Sequence, residues 1–305
     1  MRHVLSLFDL STEDILRVFR LTREMKDALA KGVRTPRLAG HVLALLFEKP
    51  SLRTRVSFEA GMTHLGGSAL YLGSDVGWGQ RESAADFSRV LTQFVDVVAC
   101  RAKQHARVAE LARHARVPVI NALTDQFHPC QALADLYTLS ELRAEGFDGA
   151  KFAFVGDANN VARSLAVACA RLGVQFALAA PDAYQFDMAF LKRMEAEFPG
   201  LDLAQTTDPR AAVRNADVIY TDVWASMGQE EEHDVRVRAF APYQVNQTLM
   251  ATAPAHARFM HCLPARRGEE VTDHVIDSPQ SVVVRQAANR MHAQKGLLVW
   301  LLENP

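Results

Sequence analysis

The sequence predicts an α/β protein made of two doubly wound parallel-sheet domains, with its functional site in the cleft between them. Three observations lead there. The chain has 305 residues, which is long for one core and suits two domains of roughly 150 residues each. Short apolar runs alternate with helix-period stretches, the pattern of parallel strands joined by right-handed crossovers. Polar clusters follow the ends of six of those runs, drawn from both halves, and open α/β sheets bind ligands at the carboxyl ends of their strands.

The first element is a helix, "STEDILRVFRLTREMKDALAKG", opened by Ser11 and Asp14 at capping-box spacing and ended by Gly32. "HVLALLFEK" (41–49) reads as a buried strand, "SLRTRVSFEAGMTHLGG" (51–67) as a helix stopped by two glycines, and "SALYLG" (68–73) as a strand. A polar loop, "GWGQRES" (77–83), precedes the helix "SAADFSRVLTQFV". Strand "DVVACR" (96–101), helix "HARVAELARHAR" (105–116), strand "VPVINAL" (117–123) and helix "PCQALADLYTLSELRAEG" (129–146) complete the first series. A second series holds strands "KFAFVGD" (151–157), "QFALAAP" (175–181), "DVIYTDV" (217–223) and "RFMHCLP" (258–264), with helical stretches between. The border falls near Gly146–Lys151, giving domains 1–147 and 148–305. The tail helix, about 287–303, is expected to pack back on the first domain.

Composition excludes several classes. An apolar fraction of 49 % and a formal net charge of −1 are those of an ordinary soluble protein, with no sign of nucleic-acid or acidic-membrane binding. The basic helix carrying Lys103, Arg107, Arg113 and Arg116 also has a core face of Val108, Leu111 and Ala112, so it reads as a solvated helix. No run of about 18 apolar residues occurs, and the acidic N-terminal stretch lacks a signal peptide's apolar core. Cys100, Cys130, Cys169 and Cys262 are widely spaced, which suits a reducing cytoplasm.

The chemistry collects after the strands. "PSLRTR" opens a helix, and a helix N-terminus with Ser51, Thr54, Arg53 and Arg55 suits a phosphate; the alternative is an N-cap followed by solvated arginines. Arg101, His128 and Gln131 arrive at neighbouring strand ends. "FVGDANNVARS" has the turn glycine Gly156 but not G-x-G-x-x-G; Asn159 and Asn160 suit a small molecule, and only Asp182 keeps a dinucleotide reading alive. "DVWASMGQEEE" places Asp222, Ser226 and Met227 where an amino-acid backbone could be held, or where Asp222 merely caps a turn. Cys262 in "HCLP" has three readings: metal ligand, nucleophile, or a strand end lending carbonyls with the thiol as a wall. Adjacent His261 and Cys262 are expected to face opposite ways in a strand, which disfavours one shared metal, and no acid is apparent to orient a Cys–His pair.

Taken in order, "FEKPSLRTRVSFE", "FHPCQALAD", "GDANNVA", "DVWASMGQEEE", "FMHCLPARRGEEVTD" and "QAANRMHAQK" resemble the carbamoyltransferases, and among them the ornithine carbamoyltransferases, over nearly the whole chain. The resemblance implies carbamoyl transfer from carbamoyl phosphate to the δ-amine of L-ornithine in arginine metabolism, with putrescine or N-acylornithine as alternative acceptors. It implies that Ser51, Leu52, Arg53 and Thr54 hold the phosphate, that Thr54, Arg101, His128 and Arg290 surround the carbamoyl oxygen, and that Gln131, with the Leu263 carbonyl, takes the carbamoyl NH₂. Asn160, Asp222, Ser226 and Met227 would hold the α-carbon groups of ornithine, and Cys262 and Leu263 would meet its δ-amine. It implies no metal or organic cofactor, and a homotrimer or a multiple of one. The chain departs from the family in three places. Leu52 stands where many members have Thr. Gly77 lies where many have a Gln that reaches a neighbouring subunit, with Gln80 nearby. Arg266 and Arg285 replace commoner residues.

Overall fold

The computed structural model describes residues 1–225 and 230–303. The contacts divide into two compact units, Met1–Tyr137 with Ala288–Pro305, and Thr138–Ala287. The first series runs α1 (Thr12–Ala30), β1 (Val42–Phe47), α2 (Leu52–His64), β2 (Ser68–Leu72), α3 (Ala84–Leu91), β3 (Val97–Arg101), α4 (His105–His114), β4 (Val119–Leu123) and α5 (Pro129–Leu142). The second runs β5 (Lys151–Val155), α6 (Asn160–Leu172), β6 (Gln175–Ala179), α7 (Met188–Glu197), β7 (Leu203–Thr206), α8 (Pro209–Val213), β8 (Val218–Thr221), α9 (His233–Phe240), α10 (Gln247–Met250), β9 (Arg258–His261), α11 (Asp273–Ile276) and α12 (Val283–Glu303). The helices α5 and α12 each run from one unit into the other.

Both sheets are wholly parallel, in the orders β2-β1-β3-β4 and β7-β6-β5-β8-β9. Their central strands are apolar at successive positions and buried on both faces, as in β1 (Leu43–Phe47) and β5 (Phe152–Val155), because helices cover both sides. Emptying one such site, for example by Leu45→Ala, would cost about 2–5 kcal/mol through lost transfer and the cavity left. The capping box at α1 is present: the Ser11 side chain accepts the Asp14 N–H, and Asp14 accepts that of Ser11. One strand is additional to those expected. β7, "LAQT", is an edge strand with no fully buried residue, so it lacks the apolar run that marks a central one. No helix among the described residues is long and apolar enough to cross a membrane.

Each sheet reverses its winding once, between β1 and β3 in the first and between β5 and β8 in the second. These are the switch points at which the carboxyl ends of neighbouring strands open a crevice.

Candidate active site

At the first switch point, Phe47 pairs in register with Arg101, the last residue of β3, and the Glu48 N–H donates to the Arg101 carbonyl at 2.9 Å. The chain leaving β1 therefore enters α2 beside Arg101. Ser51 is the N-cap: its Oγ accepts the Thr54 N–H at 3.4 Å and donates to Thr54 Oγ1 at 3.1 Å. Thr54 is buried, Arg53 half-buried, and the Leu52 side chain points outward at 75 % exposure. The opening N–H groups of a helix have no intrahelical partner and carry partial positive charge.

Arg101, His128 and Arg290 are all buried. Burial, then the charges of Arg290 and Arg53, pushes the Arg101 guanidinium down to about 10. Its Nε has no partner among the described residues. Burial, then Arg290 and Arg101, holds His128 well below its usual 6.5, so it stays neutral. Arg290 Nη1 donates to Gln131 Oε1. Gln131 Nε2 donates in turn to Asp135 Oδ1 at 2.8 Å, one helical turn along α5. A buried cation cluster is costly unless an anion completes it. The arrangement is therefore suited to a phosphate, and to an oxygen that gains negative charge as bonds change.

Gln80 lines a cavity of about 380 Å³ in the same unit, with Glu48, Trp78, Lys103 and Arg107. Gly77 ends a short 3-10 turn with φ 67°.

At the second switch point, β8 ends one residue before Asp222. Asn159, the N-cap of α6, accepts the Val161 and Ala162 N–H groups and donates to Asp222 Oδ2 at 2.8 Å. The Cys262 thiol and the Val223 N–H both donate to Asp222 Oδ1, at 3.0 and 2.8 Å. Gly156 follows β5 with φ 149°, a backbone conformation that residues with a side chain rarely adopt, although a Cβ there would make only ordinary contacts, 3.5 Å from the Phe154 ring and 3.6 Å from Thr221 Oγ1. Asn160 is half-buried at the first position of α6. Ser226 and Met227 lie outside the described residues.

The "HCLP" segment corrects two expectations. β9 ends at His261 and Leu263 turns back with φ 57°, so strand alternation no longer separates neighbours. Ligand-capable atoms of Asp222, His261 and Cys262 all lie within 4.8 Å of one another. An acid does orient the histidine. Buried Glu270 lies 3.1 Å from His261 Nε2, while His261 Nδ1 accepts the Leu263 N–H at 2.8 Å. That pattern places the proton on Nε2 and fixes the ring. Glu270 also accepts the Arg266 N–H at 2.6 Å, and Gln286 Oε1 accepts the His261 N–H at 2.9 Å.

Asp135 and Glu270 are not singled out by the sequence, and Asn159, read there as a small-molecule contact, instead caps α6 and holds Asp222. The spacing of Gln131 and Asp135, four apart on one helix, was a usable signal, as was an Asn before the first turn of α6. Nothing local marks Glu270, nine residues beyond His261.

Comparison with known proteins agrees with both halves. The carbamoyl-P binding domain of the aspartate/ornithine carbamoyltransferase family matches residues 2–141, and its Asp/Orn binding domain matches residues 148–301. An ornithine carbamoyltransferase from Anoxybacillus flavithermus is 49 % identical over 301 residues, covering 98 % of this chain and 96 % of that one. One from Bacillus subtilis is 47 % identical, over 99 % and 94 % of the two chains. The solved ornithine carbamoyltransferase of Pyrococcus furiosus superposes with a TM-score of 0.95 at 47 % identity, covering 100 % and 98 %. With two switch points carrying this chemistry and both family domains matched in order, the chain belongs to the aspartate/ornithine carbamoyltransferase family.

Proposed function

We propose that the chain transfers the carbamoyl group of carbamoyl phosphate to the δ-amine of L-ornithine, giving L-citrulline and phosphate. The observation that carries this is the buried Arg101, His128 and Arg290 group beside the N-terminus of α2. The first unit takes carbamoyl phosphate: Ser51, Arg53, Thr54 and the Leu52 N–H hold the phosphate, which leaves into the positive end of α2. Arg101, His128, Thr54 and Arg290 receive the charge that builds on the carbonyl oxygen. Gln131 faces the carbamoyl NH₂ through the same Oε1 that Arg290 holds, together with the Leu263 carbonyl.

The second unit takes ornithine. Asn160, Asp222, Ser226 and Met227 hold its α-amino and carboxylate groups, and Cys262 and Leu263 lie at the δ-amine. That amine has an intrinsic pKa near that of lysine, about 10.4, and attacks only when neutral. Its lone pair forms the C–N bond, the bond from carbon to the phosphate oxygen breaks, and the nitrogen loses one proton. Chemistry of this kind needs no redox cofactor. The functional border between the two halves lies at 147/148.

We place the enzyme in arginine metabolism and in the cytoplasm, where four cysteines outside any disulfide are stable. It assembles as a homotrimer or a multiple of one. Exposed Leu52, Val56, Leu70, Val90 and Phe94, all in the first unit, supply apolar surface for such contacts, and sedimentation of the purified protein tests it. The activity is tested by citrulline formation with ornithine, putrescine, aspartate and N-acetylornithine in parallel. Ornithine is expected to be used far better than putrescine, because a site built for α-carbon groups leaves buried polar groups unpaired without them. Comparable kcat/KM for the two would replace this reading with the diamine one.

A further inference from the structure

We infer that Arg236 is a positioning residue for ornithine recognition, locking Asp222 in place from two directions at once. The inference rests on the ornithine reading above and deepens it. Arg236 lies in α9 and is buried, and among the described residues its hydrogen bonds go to none of the groups assigned to either substrate. Its Nη1 donates to Asp157 Oδ2 at 2.8 Å and to the Trp224 carbonyl at 3.1 Å, and its Nε donates to Glu232 Oε2 at 2.9 Å.

Two of these contacts lead toward Asp222. Asp157 stands two residues past β5, and its carbonyl accepts the Asn159 N–H at 2.7 Å. Asn159 then holds Asp222 Oδ2 at 2.8 Å. The other route is through the backbone, since Trp224 is two residues beyond Asp222. The guanidinium also lies over the Tyr184 ring, 4.9 Å from its centre, and the Tyr184 carbonyl accepts the Ala158 N–H at 3.0 Å. The Trp224 ring stacks on Phe240 of α9 at 6.0 Å. One planar fork therefore joins the turn after β5, the turn after β8 and the start of α9, and Lys has no such fork. Burial pushes the Asp157 carboxyl up, and the charge and hydrogen bond of Arg236 oppose that rise. In sequence, Trp224 and Glu232 flank residues 226–229, which include Ser226 and Met227.

The test uses the full-length enzyme with Arg236→Lys and Arg236→Gln. Ornithine is titrated at saturating carbamoyl phosphate, carbamoyl phosphate binding is measured alone, and Tm is recorded. The KM for ornithine is expected to rise by about tenfold or more, the size of one lost charge-assisted contact, with kcat within about threefold, as for lost uniform binding. The Kd for carbamoyl phosphate stays unchanged, because the residues assigned to its phosphate and its carbonyl oxygen lie in the other unit. Adding guanidinium or ethylguanidinium at low millimolar concentration to Arg236→Ala should lower the ornithine KM again, which a general loss of folding would not allow. Should Arg236→Gln not fold, Asp157→Asn serves: it removes one route and should raise the ornithine KM in the same direction, by less. An unchanged ornithine KM in folded variants, or equal loss of both substrates' affinities with a fallen Tm and no rescue, overturns the inference. The wild type is the control for the parent reading: if it makes no citrulline from ornithine, that reading fails. If it does and the variants match it, only the role of Arg236 fails.

Discussion

The Cys262 thiol donates to Asp222 Oδ1 across 3.0 Å, so its hydrogen is already committed to an acid that Asn159 holds from the other side. A serine hydroxyl can make the same donation at nearly the same volume. Cys262→Ser should therefore keep measurable turnover, with the change chiefly in the ornithine KM. Cys262→Ala leaves Asp222 Oδ1 with only the Val223 N–H among the described residues, and should raise that KM further, by roughly tenfold for a hydrogen bond to a charged group. Steady-state kinetics with both substrates varied provide the check. Ping-pong patterns in the wild type, or carbamoyl trapped on the thiol, would show that the sulfur reacts instead.

Arg101 carries a stability cost in the empty site. Its folded pKa of about 10 is well below the usual guanidinium value, so the charged form is disfavoured on folding wherever the pH is below 10, and the penalty fades as pH rises through that value. Arg101→Met should raise the Tm of the ligand-free protein, since an apolar side chain replaces a buried cation that no acid pairs among the described residues. The same variant should lose the stabilisation given by carbamoyl phosphate. In the wild type that gain is about 2.7 kcal/mol at a hundredfold excess over Kd, or several degrees in Tm. Thermal unfolding with and without carbamoyl phosphate decides it: a variant that is less stable when empty and still responds to the ligand would remove Arg101 from the anion site.

Much of the fold was legible because parallel α/β units repeat a strong signal. Leu43–Phe47 and Phe152–Val155 are apolar at every position, and the glycines and caps between the elements are local devices. β7 was not legible, since an edge strand is half exposed and "LAQT" alternates weakly. At the site, residues that follow strands could be read from position alone. Glu270 and Arg236 could not, because each meets its partner through tertiary folding: Arg236 reaches Asp157 across 79 positions of sequence. The mutual orientation of His261 and Cys262 escapes the sequence for a related reason: strand alternation predicts opposite faces, but β9 ends at His261 and Leu263 already turns back.

His128 is held neutral by burial and by Arg290 and Arg101, so it should not shape the pH profile of catalysis between about pH 6 and 9. Over that range kcat/KM for ornithine should rise with pH as more of the amine is neutral. His128→Gln should lower the whole curve without changing its slope. For stability the sign is opposite to that of a paired histidine. The unfolded chain takes up a proton near 6.5 that the folded chain refuses, so this contribution is whole above 6.5 and is lost as the pH falls below it. A flat rate profile would mean that amine ionisation is not limiting. A slope that disappears in His128→Gln would make the histidine the titrating group.

Asp135 is the least conspicuous member of the proposed carbamoyl site and offers the sharpest test of its polarity. It is fully buried on α5 and accepts from Gln131 Nε2 at 2.8 Å. That bond decides which end of the Gln131 amide faces Arg290. With Nε2 turned to Asp135, Oε1 is presented to the arginine. Asp135→Asn is nearly isosteric, but an asparagine amide can present a donor where the carboxylate could only accept. If its NH₂ takes that place, the Gln131 amide is driven to rotate, which turns two N–H donors toward a cation. Either arrangement leaves a buried donor facing a donor, at a cost of about 1–3 kcal/mol. The KM for carbamoyl phosphate should rise by about tenfold or more and kcat should fall, because in the proposed mechanism Arg290 and Gln131 both bear on the reacting carbonyl. The ornithine KM, measured at saturating carbamoyl phosphate, should stay near that of the wild type. Initial-rate kinetics on a variant with wild-type Tm make the comparison clean, and carbamoyl phosphate parameters within twofold of the wild type would show that the orientation of Gln131 does not depend on Asp135.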